Sequence, residues 1–321
     1  MSIKKLVAAA AILAMSSAMA FAPPKTVTAT VGFAPGSGNE VSFRIVSAIV
    51  EKSHPGTAYI VQNKPGGGES VGVNWFAQQP TSGSNLYIAS QQGLFTATET
   101  WFPGLLKINP MDMEFVTTIA KSPLAVVAHV SSRTSTPEQL LTRMQNTREP
   151  VNFALGAPAH QLVFEYLMDH VKGDRKLIQT VTYKGPAQAV ADVAGNQVEF
   201  GILPIAIAKP LIDAGKVKPI ALAGDQRLSQ IPTVPLWKDT VPGLVVNAAW
   251  MVMLPPGSSR DQVEYYNRVF VAAINSPEAK KQFDDNLMFT VRSEQTPEGA
   301  RAYMSQLIKK WEPYVKRIKP N

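Results

Sequence analysis

The sequence contains no cysteine among its 321 residues. That excludes disulfides, thiolate metal sites and thiol catalysis together, so stability has to come from packed cores. Histidine is nearly as scarce: His54, His129, His160 and His170 are the only four. None has the i, i+4 spacing by which a helix presents two imidazoles to a metal. A structural or surface role is the default for each, and no metal or cofactor is expected. Lys and Arg outnumber Asp and Glu by 31 to 24, yet they form no basic run of the kind that marks a nucleic-acid surface. No apolar stretch approaches the ~20 residues that a membrane span needs.

What is present begins with a leader. Lys4 and Lys5 precede an apolar segment, Leu6 to Met15, and Ala18-Met19-Ala20 has the small residues of a cleavage site. The pattern predicts a signal peptide over residues 1–20 cleaved after Ala20, and a soluble product exported to the periplasm. Loss of Lys4 and Lys5 lowers the formal charge from +7 to +5. Such an excess steers small anions toward the surface.

The chain is organised around Val27 to Arg44. Val27, Ala29, Val31 and Phe33 alternate with Thr and Gly, the period of a strand. After Ala34-Pro35-Gly36-Ser37-Gly38-Asn39 the apolar spacing turns helical, at Val41, Ile45, Val46, Ile49 and Val50. A glycine turn opening a helix offers unpaired N–H groups and the positive end of a dipole to a carboxylate or phosphate. Strands at Ala58–Gln62 and Leu86–Ser90, with a short helix from about Ser70 between them, complete a βαβαβ order and hence a parallel sheet. Ser90 and Gln91 then stand at a strand C-terminus, where ligands are held.

A second alternating block runs from Val151 to Ala223. Its turns Gly156-Ala157-Pro158-Ala159 before His160, Tyr183-Lys184-Gly185-Pro186, and Pro204 mark a second set of strand ends. Extended passages at Phe115–Val130 and Ala248–Leu254 separate the blocks, and three helices close the chain. Thr136-Pro137-Glu138-Gln139, Ser276-Pro277-Glu278 and Thr296-Pro297-Glu298 read as helix caps with Pro at the first helical position. Two lobes joined by a double crossing make a cleft that can close.

Five motifs carry a family resemblance. They are Pro35-Gly36-Ser37-Gly38-Asn39-Glu40 with Arg44; Asn63-Lys64-Pro65-Gly66-Gly67-Gly68 with Gly72; Tyr183-Lys184-Gly185-Pro186-Ala187 with Asp192; Gly195-Asn196-Gln197-Val198-Glu199; and Pro255-Pro256-Gly257-Ser258-Ser259. In this order the chain resembles the Bug-type extracytoplasmic solute receptors, the binding proteins of tripartite tricarboxylate transport systems. The resemblance implies a two-lobed α/β fold of the type II periplasmic-binding kind, with two parallel-rich sheets. Residues 21–124 with 251–321 would form lobe 1 and 125–250 lobe 2. It further implies that Phe33, Ser37, Gly38 and Asn39 hold a ligand carboxylate, with Ser90 and Gln91 as floor. Gly156, Ala157, His160, Tyr183 and Pro204 would close over it. The implied partners are a small organic acid or amino acid and a membrane permease or sensor domain; a monomer is expected. Glu40, Gln62, Glu69 and Gly201 depart from the family's usual residues.

Other residues invite other readings. Glu40 and Arg44, four apart on a helix, are expected to form a surface ion pair of about 0.3–0.5 kcal/mol. Gly68-Glu69-Ser70-Val71-Gly72 matches a nucleophile elbow, with Asp169 and His170 downstream, and so raises a secreted serine hydrolase acting through Ser70. The motif is set off from its strand by Lys64-Pro65-Gly66-Gly67, the wrong context for an elbow. His160 is expected to donate to an anion or to brace its own helix start, and Trp75, Phe76, Trp237 and Trp250 to be packing.

Overall fold

The computed structural model describes residues 21–90 and 104–315. Residues 1–20, the expected leader, together with Gln91 and the last basic residues, Lys316, Arg317 and Lys319, lie outside them. The first block runs β1 (Thr26–Val31), α1 (Gly38–Ser53), β2 (Ala58–Asn63), a 3₁₀ turn (Gly67–Glu69), α2 (Ser70–Phe76) and β3 (Asn85–Ser90). β1 pairs in parallel with β2 on one side and β3 on the other. α1 lays Phe43, Val46, Ile49 and Val50 against this sheet while Arg44 and Ala48 face water. Each such burial contributes about 1.5–3 kcal/mol.

β4 (Glu114–His129) is the long element that joins the halves. From Glu114 to Pro123 it pairs antiparallel with β9 (Asn247–Leu254), which itself pairs with β3. From Leu124 onward it pairs with β7 (Phe200–Pro204) and β8 (Val217–Leu222). Pro123 has no N–H to offer, and it stands where the partner changes. Fourteen of the strand's sixteen residues are buried because both sheets use it.

The second half contains α3 (Pro137–Asn146), β5 (Val151–Leu155), α4 (Pro158–Val171), β6 (Ile178–Thr182), α5 (Pro186–Ala194) and α6 (Ile205–Asp213). β5 pairs in parallel with β6 and β7. After a short α7 (Trp237–Thr240) the chain returns to the first half at Val246–Asn247, and finishes in α8 (Arg260–Ile274), α9 (Pro277–Asp285) and α10 (Pro297–Val315).

The two expected sheets are thus halves of one mixed path, β2-β1-β3-β9-β4-β7-β5-β6, because β4 runs through both. Two details differ from the expected lobe division. Asn247–Trp250 pair with β4 in the first half, ahead of residue 251. α10 starts in the first core with Ala300 and Met304 and ends in the second with Trp311 and Val315, where Tyr314 stacks on Tyr166. An amphipathic helix nineteen residues long reaches ~28 Å, enough to touch both cores.

Candidate functional site

Between the halves lies a small cavity whose volume open to the centre of a water-sized sphere is about 30 Å³, room for about two waters. Phe33, Ser37, Gly38, Asn39 and Ser90 line it from the first half. Ala157, His160 and Pro204 line it from the second. Eight of the eleven residues singled out from sequence therefore meet here. Among the described residues every side chain on the wall is neutral, so no Lys or Arg of theirs supplies positive potential.

That potential comes from helix ends. α1, α4, α5 and α6 begin at Ser37, Ala157, Gly185 and Pro204, and none of these four residues makes a side-chain capping bond. At four other helices the cap is closed. Thr136 accepts from the Gln139 N–H, Ser259 from Gln262, Ser276 from Ala279 and Thr296 from Gly299. All four helices that start at the cavity thus have open N-termini, each a partial positive charge; the short α2 and α7 are uncapped as well, away from the wall.

The first half keeps free polar groups. The Ser37 hydroxyl is buried, 1 % exposed, and has no hydrogen-bond partner. The first intrahelical bond of α1 is from the Val41 N–H to the Ser37 carbonyl. Gly38 carries no Cβ because the Trp250 indole lies where it would be, 2.1 Å away. Glu40 turns away from the mouth of the helix: one oxygen accepts from Gly36 N–H and Asn63, the other from Arg44 at 2.7–2.8 Å. The expected Glu40–Arg44 pair is therefore present, and its charge is absorbed behind the turn.

The second half has spent its groups internally. His160 Nδ1 accepts from the Gly156 N–H at 3.1 Å, and the Ile202 carbonyl is its other backbone partner. Burial pushes its pKa down to about 3, with the Ile202 contact opposing, so the ring is neutral. His160 braces its helix start and has no N–H left for an anion. Gly156 is buried but does not line the cavity. Its missing Cβ would lie 2.3 Å from the Pro186 backbone, so the residue is glycine for packing. Tyr183 also stays off the wall. Its hydroxyl donates to Asp192 at 2.6 Å, and burial and that carboxylate push its pKa up to about 12.

Gln91 lies outside the described residues. Leu124, Ala159, Pro186, Ala248, Ala249 and Trp250 also line the cavity. Pro186 follows the glycine of a turn that the sequence marked. Trp250 and its neighbours sit in an apolar strand, and nothing in such a run separates a cavity wall from ordinary core.

The hydrolase constellation does not assemble. Ser70 is 1 % exposed at the start of α2, whereas Asp169 and His170 are exposed in the last turn of α4. α4 starts at the cavity, and ~1.5 Å per residue over its 14 residues carries its C-terminus ~20 Å from it.

An α/β molecule of two halves joined through shared strands, with a cavity ringed by helix N-termini, is a periplasmic-binding-protein fold. The sequence profile of the tripartite tricarboxylate transporter family receptor matches residues 43–319, and the chain belongs to that family of periplasmic solute-binding proteins. It is 24% identical over 309 residues to Protein BugT of Bordetella pertussis, covering 95% of this chain and 92% of that one. Among solved structures, an adipate-bound protein of R. palustris superposes with a TM-score of 0.86 at 20% identity, over 92% of this chain and 98% of that one. MatC from Rhodopseudomonas palustris with bound malate gives 0.82 at 23%, over 90% and 98%. Among the described residues no helix is long and apolar enough to cross a membrane.

Proposed function

We propose that this protein is an exported, non-catalytic receptor that captures a small organic carboxylate between its halves. Residues 1–20 would be removed after Ala20, and the loaded protein would dock as a monomer on a membrane permease or a sensor's periplasmic domain. Ser37, Gly38 and Asn39 would hold the acid at the open end of α1, with Phe33 and Ser90 beside it. Ala157, His160 and Pro204 would cover it as a shaped lid.

The observation that carries this reading is the Ser37 hydroxyl, buried at a helix N-terminus with neither a capping bond nor any other partner. An unsatisfied buried hydroxyl costs about 1–3 kcal/mol, which a ligand oxygen would recover. The malate and adipate in the two structural neighbours agree with the ligand class. Entry requires movement. A Cβ on Gly185 would lie only 3.5 Å from the Ala34 Cβ, so the halves touch at the mouth, and the present volume is too small for a four-carbon acid.

A thermal-shift screen tests the reading, with protein unfolded and refolded to strip carried ligand. Malate, succinate, adipate, citrate, benzoate and glutamate are the probes. A binder at a hundredfold excess over its Kd adds about 2.7 kcal/mol and raises Tm. If none of the acids moves Tm, the carboxylate reading is wrong.

A further inference from the structure

One carboxyl lies beneath the cradle of α1 and takes no part in the contacts proposed above. Glu69 is fully buried and has φ +81°, a left-handed conformation that costs a residue with a side chain about 1 kcal/mol or more. Its Oε1 accepts from Asn39 Nδ2 at 3.2 Å and from the Ser90 N–H at 3.1 Å. The other Asn39 amide hydrogen goes to the Ile88 carbonyl at 2.7 Å. One carboxyl oxygen therefore ties the second residue of α1 to the last residue of β3, and both of those residues line the cavity.

The Glu69 side chain is wedged tightly. A Cβ on Gly32 would sit 2.9 Å from the Glu69 Cβ and 2.4 Å from the Tyr87 hydroxyl. Oε2 of Glu69 and the hydroxyl of Tyr87 have no hydrogen-bond partner. Among the described residues no cation pairs with Glu69. Tyr87 on β3 stays protonated, held well above its ordinary range by burial and by Glu69. On α1 the Glu40 carboxylate is taken by Arg44, and across the cavity His160 on α4 is neutral. A carboxylate left in this place would be an uncompensated buried charge directly beneath an anion site.

We propose that Glu69 is the positioning residue of the anion site, holding Asn39 and Ser90 in register as a neutral acid, so that carboxylate capture is coupled to a proton kept on this side chain. The inference rests on the carboxylate reading of the site. Burial pushes the Glu69 carboxyl up to about 8, and the hydrogen bonds from Ser90 and Asn39 offset only part of that. At neutral pH the proton is in place. Raising the pH through 8 removes it to solvent and sets a negative charge under the bound acid. If only the protonated form accepts the anion, Kd weakens about tenfold between pH 7 and pH 9.

Two measurements test the proposal separately from the function. In stripped protein labelled with ¹³C at the glutamate carboxyl, the signal that vanishes in Glu69→Gln is followed against pH. The expected midpoint is near 8, and titration in the ordinary carboxylate range overturns the proposal whether or not any acid binds. Malate and adipate are then titrated calorimetrically from pH 6 to 9 into wild type, Glu69→Gln and Glu69→Gly. Glutamine keeps the accepting oxygen and cannot ionise, so its Kd should be flat with pH. Glycine suits φ +81° but cuts the tie, and should weaken binding about tenfold at every pH, with circular dichroism checking the fold. Equal pH curves in wild type and Glu69→Gln, or equal affinity in the glycine and glutamine variants, refute the proposal and leave the carboxylate receptor standing. A midpoint near 8 with no binding of either acid to wild type refutes the coupling together with the carboxylate reading.

Discussion

The two sides of the cavity are built from the same parts and have used them differently. Both present strand ends and uncapped helix N-termini. On the first side Ser37 keeps a free hydroxyl, and Asn39 is anchored from beneath by Glu69. On the second side His160 is engaged by Gly156 and Ile202, Tyr183 by Asp192, and the second N–H of α6 by the Ser122 hydroxyl of β4. α4 and α5 each open with a proline, which removes one more donor. An acid needs unspent donors, and among the side chains only the first side has kept one, the Ser37 hydroxyl. The second side can contribute shape, dipole and exclusion of water. The experiments below are arranged to break that asymmetry, starting with the largest effect.

Ser37→Asp puts a fixed negative charge at the mouth of α1. Asp is as good an N-cap as Ser and complements the dipole, so the urea midpoint should hold or rise. Affinity for whichever acid stabilises wild type should fall at least about hundredfold, since opposed like charges cost several kcal/mol. Wild-type affinity in this variant would place the acid elsewhere. Ser37→Ala is the milder cut. Losing a hydrogen bond to a charged group costs about 1.5–3 kcal/mol, a tenfold to hundredfold loss of affinity. Its stability should hold or rise, because the hydroxyl caps nothing and its unsatisfied burial is relieved. Thr136→Ala should do the reverse: about 1 kcal/mol of stability lost from α3, read from the urea midpoint, and no change in affinity.

The same contrast explains how far sequence reading reached. The caps at Thr136, Ser276 and Thr296 were legible because local chemistry, a hydroxyl with Pro at N1, decides them. The strand–turn–helix at Ser37 was legible for the same reason, and β4 and β9 because long apolar extended runs have few alternatives. What did not follow were facts of tertiary partnership. Tyr183 and Asp192 lie nine residues apart, and nothing local announces that the phenol is already taken. Trp250 sits in a strand whose apolar pattern is that of any core. Glu69 follows three glycines with positive φ and continues their left-handed turn, where a glutamate has no intrinsic preference to be. Its conformation is imposed by the buried contacts it makes. The amphipathic pattern of the C-terminal helix does not say how many cores it covers.

A further test uses pH. His160 has a folded pKa depressed to about 3 from an ordinary 6.5. The unfolded chain therefore binds its proton first as pH falls, and the stability tied to this residue is complete above about 6.5 and lost toward 3. The sign is opposite for Glu69, raised from 4.5 to about 8: its stability is complete below about 4.5 and lost as pH rises to 8. Each slope is roughly 1 kcal/mol per pH unit, so the two oppose one another from about 4.5 to 6.5. Within that window wild-type stability alone hides both. The difference between wild type and His160→Gln, from urea midpoints at pH 7.5, 6 and 5, should shrink as pH falls. A constant difference would mean that the imidazole is not held neutral, and the second side would regain a donor.

Tyr183→Phe should have the smallest effect, and it probes the asymmetry from the side expected to be silent. The hydroxyl donates to Asp192 at 2.6 Å and lies off the cavity wall, on a residue only partly buried. Removing it leaves a carboxylate that water can reach, so the cost to stability should stay below about 1 kcal/mol. Affinity should change less than about twofold, read by the same calorimetric titration. The outcome turns on what the halves do when they move. If Tyr183 keeps Asp192 throughout, the ligand never meets the phenol and the variant binds as wild type. If closure on an acid exchanges Asp192 for the ligand, the variant loses about tenfold, as for any charge-assisted bond. A loss of that size would give the second side a working donor and end the division between a holding side and a covering side.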